Sequence, residues 1–506
     1  MKRLPFAVKS KAVKRNKSVL NKRVPKTTET SLIDINLPIS IINDVTDNDD
    51  LDNIDLAKVP VNSGVKLLRD HNETDDIYAK FAILFKNPDT IMIPSKAKRL
   101  IEKYLPKPIL DEVHGGEKTT ENRKVAIELC LLFLSQLSST HRNILNGKNP
   151  GGWKNLRAQY LRQLLRIDSQ TYQRVKTALK FEYEKGPILE DRFYRVGSHS
   201  YQYRLGSAYR SKGFVPYELQ TEIVRKLFKN SCARKLKKAQ DNVICVNLME
   251  FYKTIVLPTE KEIEDEADRL IKEGYQKKGK KLVRRNKRSN AYFSNVANLS
   301  FVEDALKVYH YLTKNGLMIP RPGNERSGGR IVDSFVLMPS WIRRLIKIDG
   351  KPIAEADYSC LHPNLAISLY DGSGQFIKHK DLCSVLGIDE LIVKKEHLSF
   401  FNKKVGQMKN SPLFDYYRKF ESSMIDAIML EKTNSEYEHK ITSRHLFAKE
   451  VEMMTEAISR LNEEGIFVGY IYDALFFDPM NSNQVVCVMD EVAADLGIFT
   501  TAKLEK

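Results

Sequence analysis

Two aspartates from distant parts of the chain each stand at the end of a strand-like segment. The stretch "PIAEADYS" predicts a strand ending at Asp357, and "IFVGYIYDALFFD" predicts two strands that meet at a tight turn with Tyr472–Asp473 at its tip. Carboxylates on strands from distant segments can lie side by side on one sheet and hold two divalent cations about 3.5–4 Å apart. Such a pair activates a 3′-hydroxyl and neutralises a triphosphate during in-line displacement. Two Mg²⁺ ions suit this role because Mg²⁺ prefers oxygen ligands, and Mn²⁺ is the alternative.

Taken alone, an aspartate at a strand end is more often a cap or a turn residue. Other segments of the sequence are therefore needed to assign a role to these two aspartates. Upstream, "RSGGRIVDSFVLMPSWIRRLIKIDG" places Arg330 after two glycines and Arg343–Arg344 further on. Between the two aspartates lies the lysine-rich helical stretch "IVKKEHLSFFNKKVGQ", and a long helix with apolar periodicity precedes the second aspartate. The clustered lysines and arginines would neutralise phosphate charge around a reacting centre.

These motifs, in this order, resemble the palm and fingers of family A DNA polymerases, to which single-subunit phage RNA polymerases are distantly related. The resemblance covers residues 326 to 480, within the last third of the chain. "GGR" at Gly328–Arg330 is similar to the T-G-R of that family, and "DYSCLHPNL" at Asp357–Leu365 is similar to its D-Y-S-Q-I-E-L-R strand. "YDA" at Tyr472–Ala474 takes the place of the family's H-D-E, so the histidine and the last acid differ. The R-x-x-x-K spacing of the family's fingers helix is not reproduced.

The resemblance implies roles for individual residues. Asp357 and Asp473 would be the catalytic, metal-binding aspartates, and Arg330 would contact the primer–template backbone near them. His362 occupies the position of the glutamate that selects deoxyribose over ribose in the family, which leaves the sugar preference open. Lys394 or Lys395 would bind the triphosphate, and an aromatic side chain would stack on the incoming base. The full set expected to contact the nucleotide is His362, Lys394, Lys395, Phe400, Phe401, Lys404 and Tyr472.

A second motif lies between residues 156 and 205. We predict a short helix through Leu161–Leu165, a turn at Ile167–Asp168, a helix over Ser169–Leu179 capped by Ser169, and then a β-hairpin with a "GSHS" turn. Two helices followed by a hairpin is the order of a winged helix-turn-helix, whose second helix enters a major groove. Packing or protein contact is the alternative use of such a module. The residues expected on nucleic acid here are Gln170, Gln173, Lys176 and Arg204, with Arg192 and Arg195 along the hairpin.

Composition supports a polyanionic partner. The chain has 506 residues and a formal net charge of +18, which favours nucleic acid, with an anionic membrane surface as the rival. We find no apolar run long enough to span a bilayer and no secretory signal. The run "KKGKKLVRRNKR" at 277–288 predicts a backbone-contacting loop through Lys280, Arg284 and Arg285, and Arg343 and Arg344 add to this surface. Six cysteines without a C-x-x-C pair indicate reduced thiols and a cytoplasmic location rather than a zinc site.

The sequence therefore predicts an α+β fold. We expect a right-hand polymerase palm with small helical fingers at 301–506, a basic helical thumb-like region at 212–300, a winged helix DNA-binding domain at 116–211, a helical connector at 61–115 and a disordered basic-then-acidic tail at 1–60. The predicted activity is template-directed DNA polymerisation from nucleoside triphosphates on a DNA, or alternatively RNA, primer–template. One alternative is an RNA polymerase, a primase-like enzyme or an untemplated nucleotidyltransferase on the same palm. The other is a replication initiator whose palm is inactive.

Overall fold

The structure is a computed structural model that describes residues 80–115, 118–140, 151–165, 167–194, 201–210, 213–277, 279–285 and 298–505. The predicted tail at 1–60 and the first part of the predicted connector lie outside these residues. So do Arg195 and the "GSHS" turn of the predicted hairpin, and part of the basic run at 277–288.

Helices make up most of the described chain, in agreement with a mixed α+β architecture. In the first part they are α1 (Ala97–Tyr104), α2 (Lys107–His114), α3 (Thr120–Ser135), α4 (Ala158–Leu165), α5 (Ser169–Leu179), α6 (Glu222–Gln240), α7 (Val243–Thr254), α8 (Glu260–Lys272) and α9 (Val302–Thr313). Those that follow are α10 (Ser334–Leu337), α11 (Ser340–Arg343), α12 (Leu361–Leu369), α13 (His379–Leu386), α14 (Glu390–Phe400), α15 (Val405–Lys409), α16 (Pro412–Phe420), α17 (Ser422–Asn434), α18 (Ile441–Glu463) and α19 (Ser482–Asp495).

The strands are short and form several small sheets. In chain order they are β1 (Thr90–Pro94), β2 (Lys154–Asn155), β3 (Leu189–Arg192), β4 (Gln202–Leu205), β5 (Phe214–Glu218), β6 (Ile255–Val256), β7 (Gln276–Lys277), β8 (Lys280–Val283), β9 (Leu299–Phe301), β10 (Arg321–Pro322), β11 (Ile331–Val332), β12 (Lys347–Ile348), β13 (Lys351–Pro352), β14 (Ala354–Tyr358), β15 (Gly469–Ile471), β16 (Ala474–Phe477) and β17 (Ala502–Leu504). The sheet with the most strands has the order β15-β16-β14-β17, and every pair in it is antiparallel.

Apolar side chains between residues 91 and 228 form one hydrophobic cluster, centred on α3. Residues 125 to 135 of this helix are all buried, as expected for a helix surrounded by other elements. The buried Glu128 is satisfied there, because its carboxylate accepts hydrogen bonds from the Tyr217 hydroxyl at 2.8 Å and from the amides of Gln220 and Thr221 at 2.6 and 2.9 Å. The cluster thus fixes β5 and the start of α6 against α3.

Helices α4 and α5 and the sheet β2-β4-β3 pack on this cluster in the predicted order of helix, helix and hairpin. The predicted bounds of α5 are confirmed, with Val175 and Leu179 buried. Its cap was assigned to the wrong residue: the carboxylate of Asp168, rather than Ser169, accepts the hydrogen bond from the Thr171 amide at 2.7 Å. Both residue types cap well, and the N-cap lies one residue before the position that the sequence indicated.

The second hydrophobic cluster contains the four-stranded sheet, α12, α18 and α19. β16 is buried at every position, which matches its uninterrupted apolar sequence "ALFF". The 23-residue α18 turns one face inward through Leu446, Met453, Ala457 and Leu461. The sheet and this helix are the frame on which the two predicted aspartates are placed.

Within the described residues, we find no helix with the length and apolar character needed to cross a membrane.

Candidate active site

Asp357 and Asp473 lie next to each other on the four-stranded sheet. In the pairing of β14 with β16, Asp357 is opposite Ala474, and the Tyr358 amide donates a hydrogen bond to the carbonyl of Asp473 at 3.2 Å. Segments more than a hundred residues apart are thereby joined at one end of the sheet. The sequence-predicted turn is also present, since Ile471 pairs with Ala474 and leaves Tyr472 and Asp473 as the two loop residues.

The hairpin tip has an unusual backbone. Tyr472 has a φ of 57°, in the left-handed region that non-glycine residues seldom adopt. Two-residue hairpins need this conformation because their turn must follow the right-handed twist of the strands. Holding a tyrosine there costs of order 1–2 kcal/mol, which the buried strands on either side must offset. The tip is therefore a position where the fold imposes a conformation on the residue beside Asp473.

Burial and neighbouring negative charge raise the pKa of both carboxyl groups. Burial, followed by the charge of Asp473, raises the pKa of Asp357 to about 7. Burial, followed by the charge of Glu450, raises the pKa of Asp473 above its ordinary value. Two carboxylates that resist ionisation in this way become a favourable pair when a cation lies between them.

Asp357 has an oxygen atom that suits a metal ion. Its Oδ1 is buried and accepts no hydrogen bond within the described part of the chain, and the nearest cation is the Lys503 ammonium at 3.7 Å. No group of three or more His, Cys, Asp or Glu side chains suited to a metal occurs among the described residues. Two carboxylates are ligands of the type that Mg²⁺ prefers, since this ion binds oxygen and usually keeps several waters.

A buried ion-pair network lies behind the hairpin tip. Arg330 donates to the carboxylate of Glu450 through Nε at 2.7 Å and Nη2 at 2.5 Å, and His362 Nε2 lies 2.8 Å from the same carboxylate. The Glu450 side chain is fully buried, whereas that of His362 is 28% exposed. The Arg330 guanidinium also stacks on Phe447 at 3.7 Å and on Tyr472 at 4.5 Å. The network thus connects α18 to the turn that carries Asp473.

Glu450 is ionised in this network. Burial alone would raise its pKa, but the charge of Arg330 and the hydrogen bond with His362 outweigh burial and lower the pKa to about 2. Sequence reasoning missed this residue, although a signal was present. Glu450 falls among the inward positions of α18, four residues before Met454 and seven before Ala457, where an acid must be paired.

The predicted fingers residues divide between the surface and the core. Lys394, Lys395 and Lys404 are on the surface, and Lys394 forms an ion pair with Glu390 at 2.8 Å. Phe400 and Phe401 cannot stack on an incoming base as predicted, because both are buried in the core and pack against Tyr417 at 5.2 and 6.1 Å. The aromatic residues at the end of α14 therefore pack in the core and do not form a binding surface.

Several side chains predicted to contact nucleic acid are instead paired with other groups of the same chain. Arg343 is buried, and its guanidinium donates to the carbonyls of Phe335 and Met338 at 3.0 and 3.3 Å, so the predicted surface role of Arg343 is wrong. Arg344 is 60% exposed and only 3.6 Å from Glu355. In the basic run, Arg284 pairs with Asp268 at 2.8 Å and Arg285 with Asp304 at 2.5 Å, while Lys280 is exposed.

On the helix-and-hairpin segment, Gln170 and Gln173 are exposed as predicted. Lys176 does not face solvent freely, because its ammonium lies 3.3 Å from Asp191 and 3.0 Å from the Tyr201 hydroxyl. Arg204 pairs with Glu190 at 2.5 Å. The two glutamines are thus the predicted contacts that α5 leaves open.

Comparisons with known proteins give distant structural likeness only. No protein family model matches the chain, and no curated protein matches it. Among solved structures, the chain is similar to the POL domain of Pol1 from M. smegmatis, in a complex with DNA primer-template and dNTP, with a TM-score of 0.31 and 10% sequence identity over 57% of this chain and 75% of that chain. A likeness of this size does not assign the chain to a family.

Proposed function

We propose that this chain is a template-directed nucleotidyltransferase, and specifically a DNA polymerase. The observation that supports this function best is the pair formed by Asp357 and Asp473, which adjoin at one end of the sheet with raised pKa values. The Oδ1 of Asp357, buried without a hydrogen-bond donor in the described residues, adds to it. Perturbed acids of this kind are typical of functional sites.

In this function the two aspartates would hold Mg²⁺, and the bound ion would supply positive charge that makes the primer 3′-hydroxyl more acidic and balances the triphosphate. The primer 3′-oxygen would lose its proton to water and form a bond to the α-phosphorus as the bond to pyrophosphate breaks. Asp357 is placed by a central strand and Asp473 by a two-residue turn, so neither carboxylate depends on a long loop for its position. Such rigid placement is what two-metal chemistry requires of a protein.

His362 and Arg330 have positioning roles beside this centre. The imidazole of His362 is partly exposed and is held by the carboxylate of Glu450. In the proposed function it limits the space next to the sugar of the incoming nucleotide. Arg330 keeps its charge paired with Glu450 and stacks on the ring of Tyr472, so its contribution near the primer is a fixed guanidinium rather than a mobile cation.

The segment from α4 to β4 is the second nucleic-acid contact of the proposal, as a winged helix. Its support is the succession of two helices and an antiparallel hairpin, with exposed Gln170 and Gln173 on the second helix. Asparagine and glutamine amides can bond base edges in a major groove. A DNA-binding module joined to a polymerase in one chain would suit the self-contained replication protein of a phage, plasmid or other mobile element.

Primer extension tests the proposed activity. The intact protein is given DNA or RNA templates with deoxyribonucleotides or ribonucleotides, in Mg²⁺ or Mn²⁺. We expect incorporation that is abolished by Asp357→Asn and by Asp473→Asn. Asp349→Asn is the matched control, because Asp349 is exposed and has a φ of 49° that asparagine tolerates. Extension that survives both site substitutions refutes the assignment of the site.

The same assay separates the alternatives. Incorporation of ribonucleotides alone, or incorporation without a template, would replace the DNA polymerase with an RNA polymerase or an untemplated transferase. His362→Gly is expected to raise the ratio of ribonucleotide to deoxyribonucleotide incorporation, since it removes the ring beside the sugar. A protein that binds duplex DNA but incorporates no nucleotide under any condition would be a replication initiator with an inactive palm.

A further inference from the structure

An aromatic column runs from the first hydrophobic cluster to the surface of the β3–β4 hairpin. Phe133 in α3 packs against Tyr203 with ring centroids 5.4 Å apart, Tyr203 packs against Tyr201 at 5.2 Å, and Tyr201 packs against Phe193 at 5.5 Å. The first two rings are buried. The column therefore supports Phe193 from below and limits the directions in which its ring can turn.

The outer end of the column exposes two adjacent aromatic rings to solvent. Phe193 is 76% exposed and Tyr194 is 66% exposed. Both follow directly after β3 and neither serves the core. Aromatic side chains normally bury a large apolar area. Two neighbouring aromatic rings exposed to solvent, one of them held by packing on Tyr201, therefore indicate a surface that another molecule covers.

The residue before Phe193 belongs to a cluster of a tryptophan ring and cationic side chains. Arg192, which precedes Phe193, stacks on one side of Trp153 at 4.5 Å, and Arg204 lies over the same ring at 4.2 Å. Together they border an open cavity of about 410 Å³ that Lys180 also lines. Of the charged groups that line it, three are cationic (Lys180, Arg192 and Arg204) and two are acidic (Glu190 and Asp191), which leaves one positive charge.

We propose that Trp153, Arg192, Phe193 and Tyr194 form a stacking platform for unpaired nucleotides of a single-stranded nucleic acid. Exposed rings beside positive charge match such a ligand, because every base offers a flat face and every linkage a phosphate. A duplex fits the rings less well, since its bases are already stacked on each other and only its backbone and groove edges are accessible. The platform thus gives the hairpin a different ligand from the duplex that α5 is expected to contact.

Binding of labelled oligonucleotides to the full-length protein tests the platform. The probes are an oligothymidine of about 20 nucleotides, longer than the roughly 4–16 nucleotides that such sites cover, an abasic strand of equal length, and a duplex. Fluorescence anisotropy without metal or triphosphate makes the result independent of the catalytic proposal. We expect Phe193→Ala with Tyr194→Ala to weaken oligothymidine binding by roughly tenfold or more and to leave the abasic strand and the duplex unchanged.

The controls separate stacking from other causes. Leu391→Ala and Met480→Ala remove apolar side chains that are 74% and 76% exposed elsewhere, and both should leave oligothymidine binding unchanged. Phe193→Trp should retain binding, whereas Phe193→Leu should lose it, because leucine is apolar but has no flat face. Thermal unfolding of each variant checks that the fold is intact.

Three results would overturn the proposal. The first is unchanged oligothymidine binding in the double alanine variant. The second is an equal loss on the abasic strand, which would assign the effect to the backbone. The third is full binding by Phe193→Leu, which would make the surface a general apolar contact, as for a protein partner.

Discussion

Neutralising Glu450 would test the buried network behind the hairpin tip. Its carboxylate is inaccessible to solvent and pairs with both Arg330 and His362. Glu450→Ala removes every acceptor and leaves the guanidinium of Arg330, whose side chain is 14% exposed, without its partner. Breaking a buried pair from one side costs about 3–5 kcal/mol. Glu450→Gln keeps the shape and one acceptor oxygen, so we expect a smaller loss of about 1.5–3 kcal/mol, the value of one charged hydrogen bond.

Urea denaturation followed by circular dichroism measures these free energies of unfolding. Glu452→Gln is the matched control: it neutralises a 56% exposed glutamate on the same helix and should change stability by less than about 0.5 kcal/mol. Removing both charges with Arg330→Met and Glu450→Met together should cost less than the sum of the single changes, because no unpaired charge is then buried. A cost for Glu450→Gln as small as that of the control, with additive methionine variants, would refute the buried ion pair.

The pH dependence of the same pair has a defined sign. The pKa of Glu450 is lowered from 4.5 to about 2 in the folded protein. The pair therefore contributes its full stability above pH 4.5, and this contribution is lost as the pH falls from 4.5 through 2. Glu450→Gln should remove that part of the acid dependence, and acid unfolding curves of parent and variant should converge at low pH.

Three further changes test neighbouring features. Lys503→Met removes the ammonium group that lies 3.7 Å from Asp357. Because this removes about 1 kcal/mol of charge repulsion in water, Mn²⁺ binding measured by calorimetry on the intact protein should tighten by roughly fivefold. Unchanged affinity would contradict this expectation. Burial lowers the pKa of His397 to about 3, so the parent should lose about 1.4 kcal/mol of stability per pH unit as the pH falls from 6.5 towards 3, and His397→Gln should show a flatter profile. Gly469→Ala would place a methyl group 2.8–2.9 Å from two phenylalanine rings and should cost about 1–3 kcal/mol, whereas Gly406→Ala, with no atom within 4 Å, should be nearly neutral.

Local features of the fold could be predicted from the sequence because they depend on neighbouring residues. The helix Ser169–Leu179 and the hairpin with Tyr472–Asp473 at its tip were predicted and are present. Asp357 was placed at the end of its strand, which continues by one residue to Tyr358. In each case the periodicity of apolar residues and a short polar interruption are contained within a dozen positions.

Pairings between distant segments were not predictable from such patterns. Glu450 pairs with Arg330, which lies 120 positions away in the chain. The residues around each of them do not indicate which side chain the other end of the pair will be. β17 is too short to show a period, although it pairs with β14 and brings Lys503 opposite Asp357. Phe400 and Phe401 show the converse error, since their aromatic character suits both a binding surface and a core, and only the packing of α16 against α14 decides between them.

Glu450 also explains how an arginine can lie close to the proposed cation site. An unpaired guanidinium at Arg330 would compete with a metal ion for the carboxylate of Asp473. The charge of Glu450 acts on Asp473 in the opposite direction to that of Arg330, raising its pKa where Arg330 lowers it. The two charges of the ion pair thus act in opposite directions on Asp473, while Glu450 also holds the ring of His362. In the proposed function, this arrangement leaves Asp473 able to bind a cation and gives His362 a fixed position.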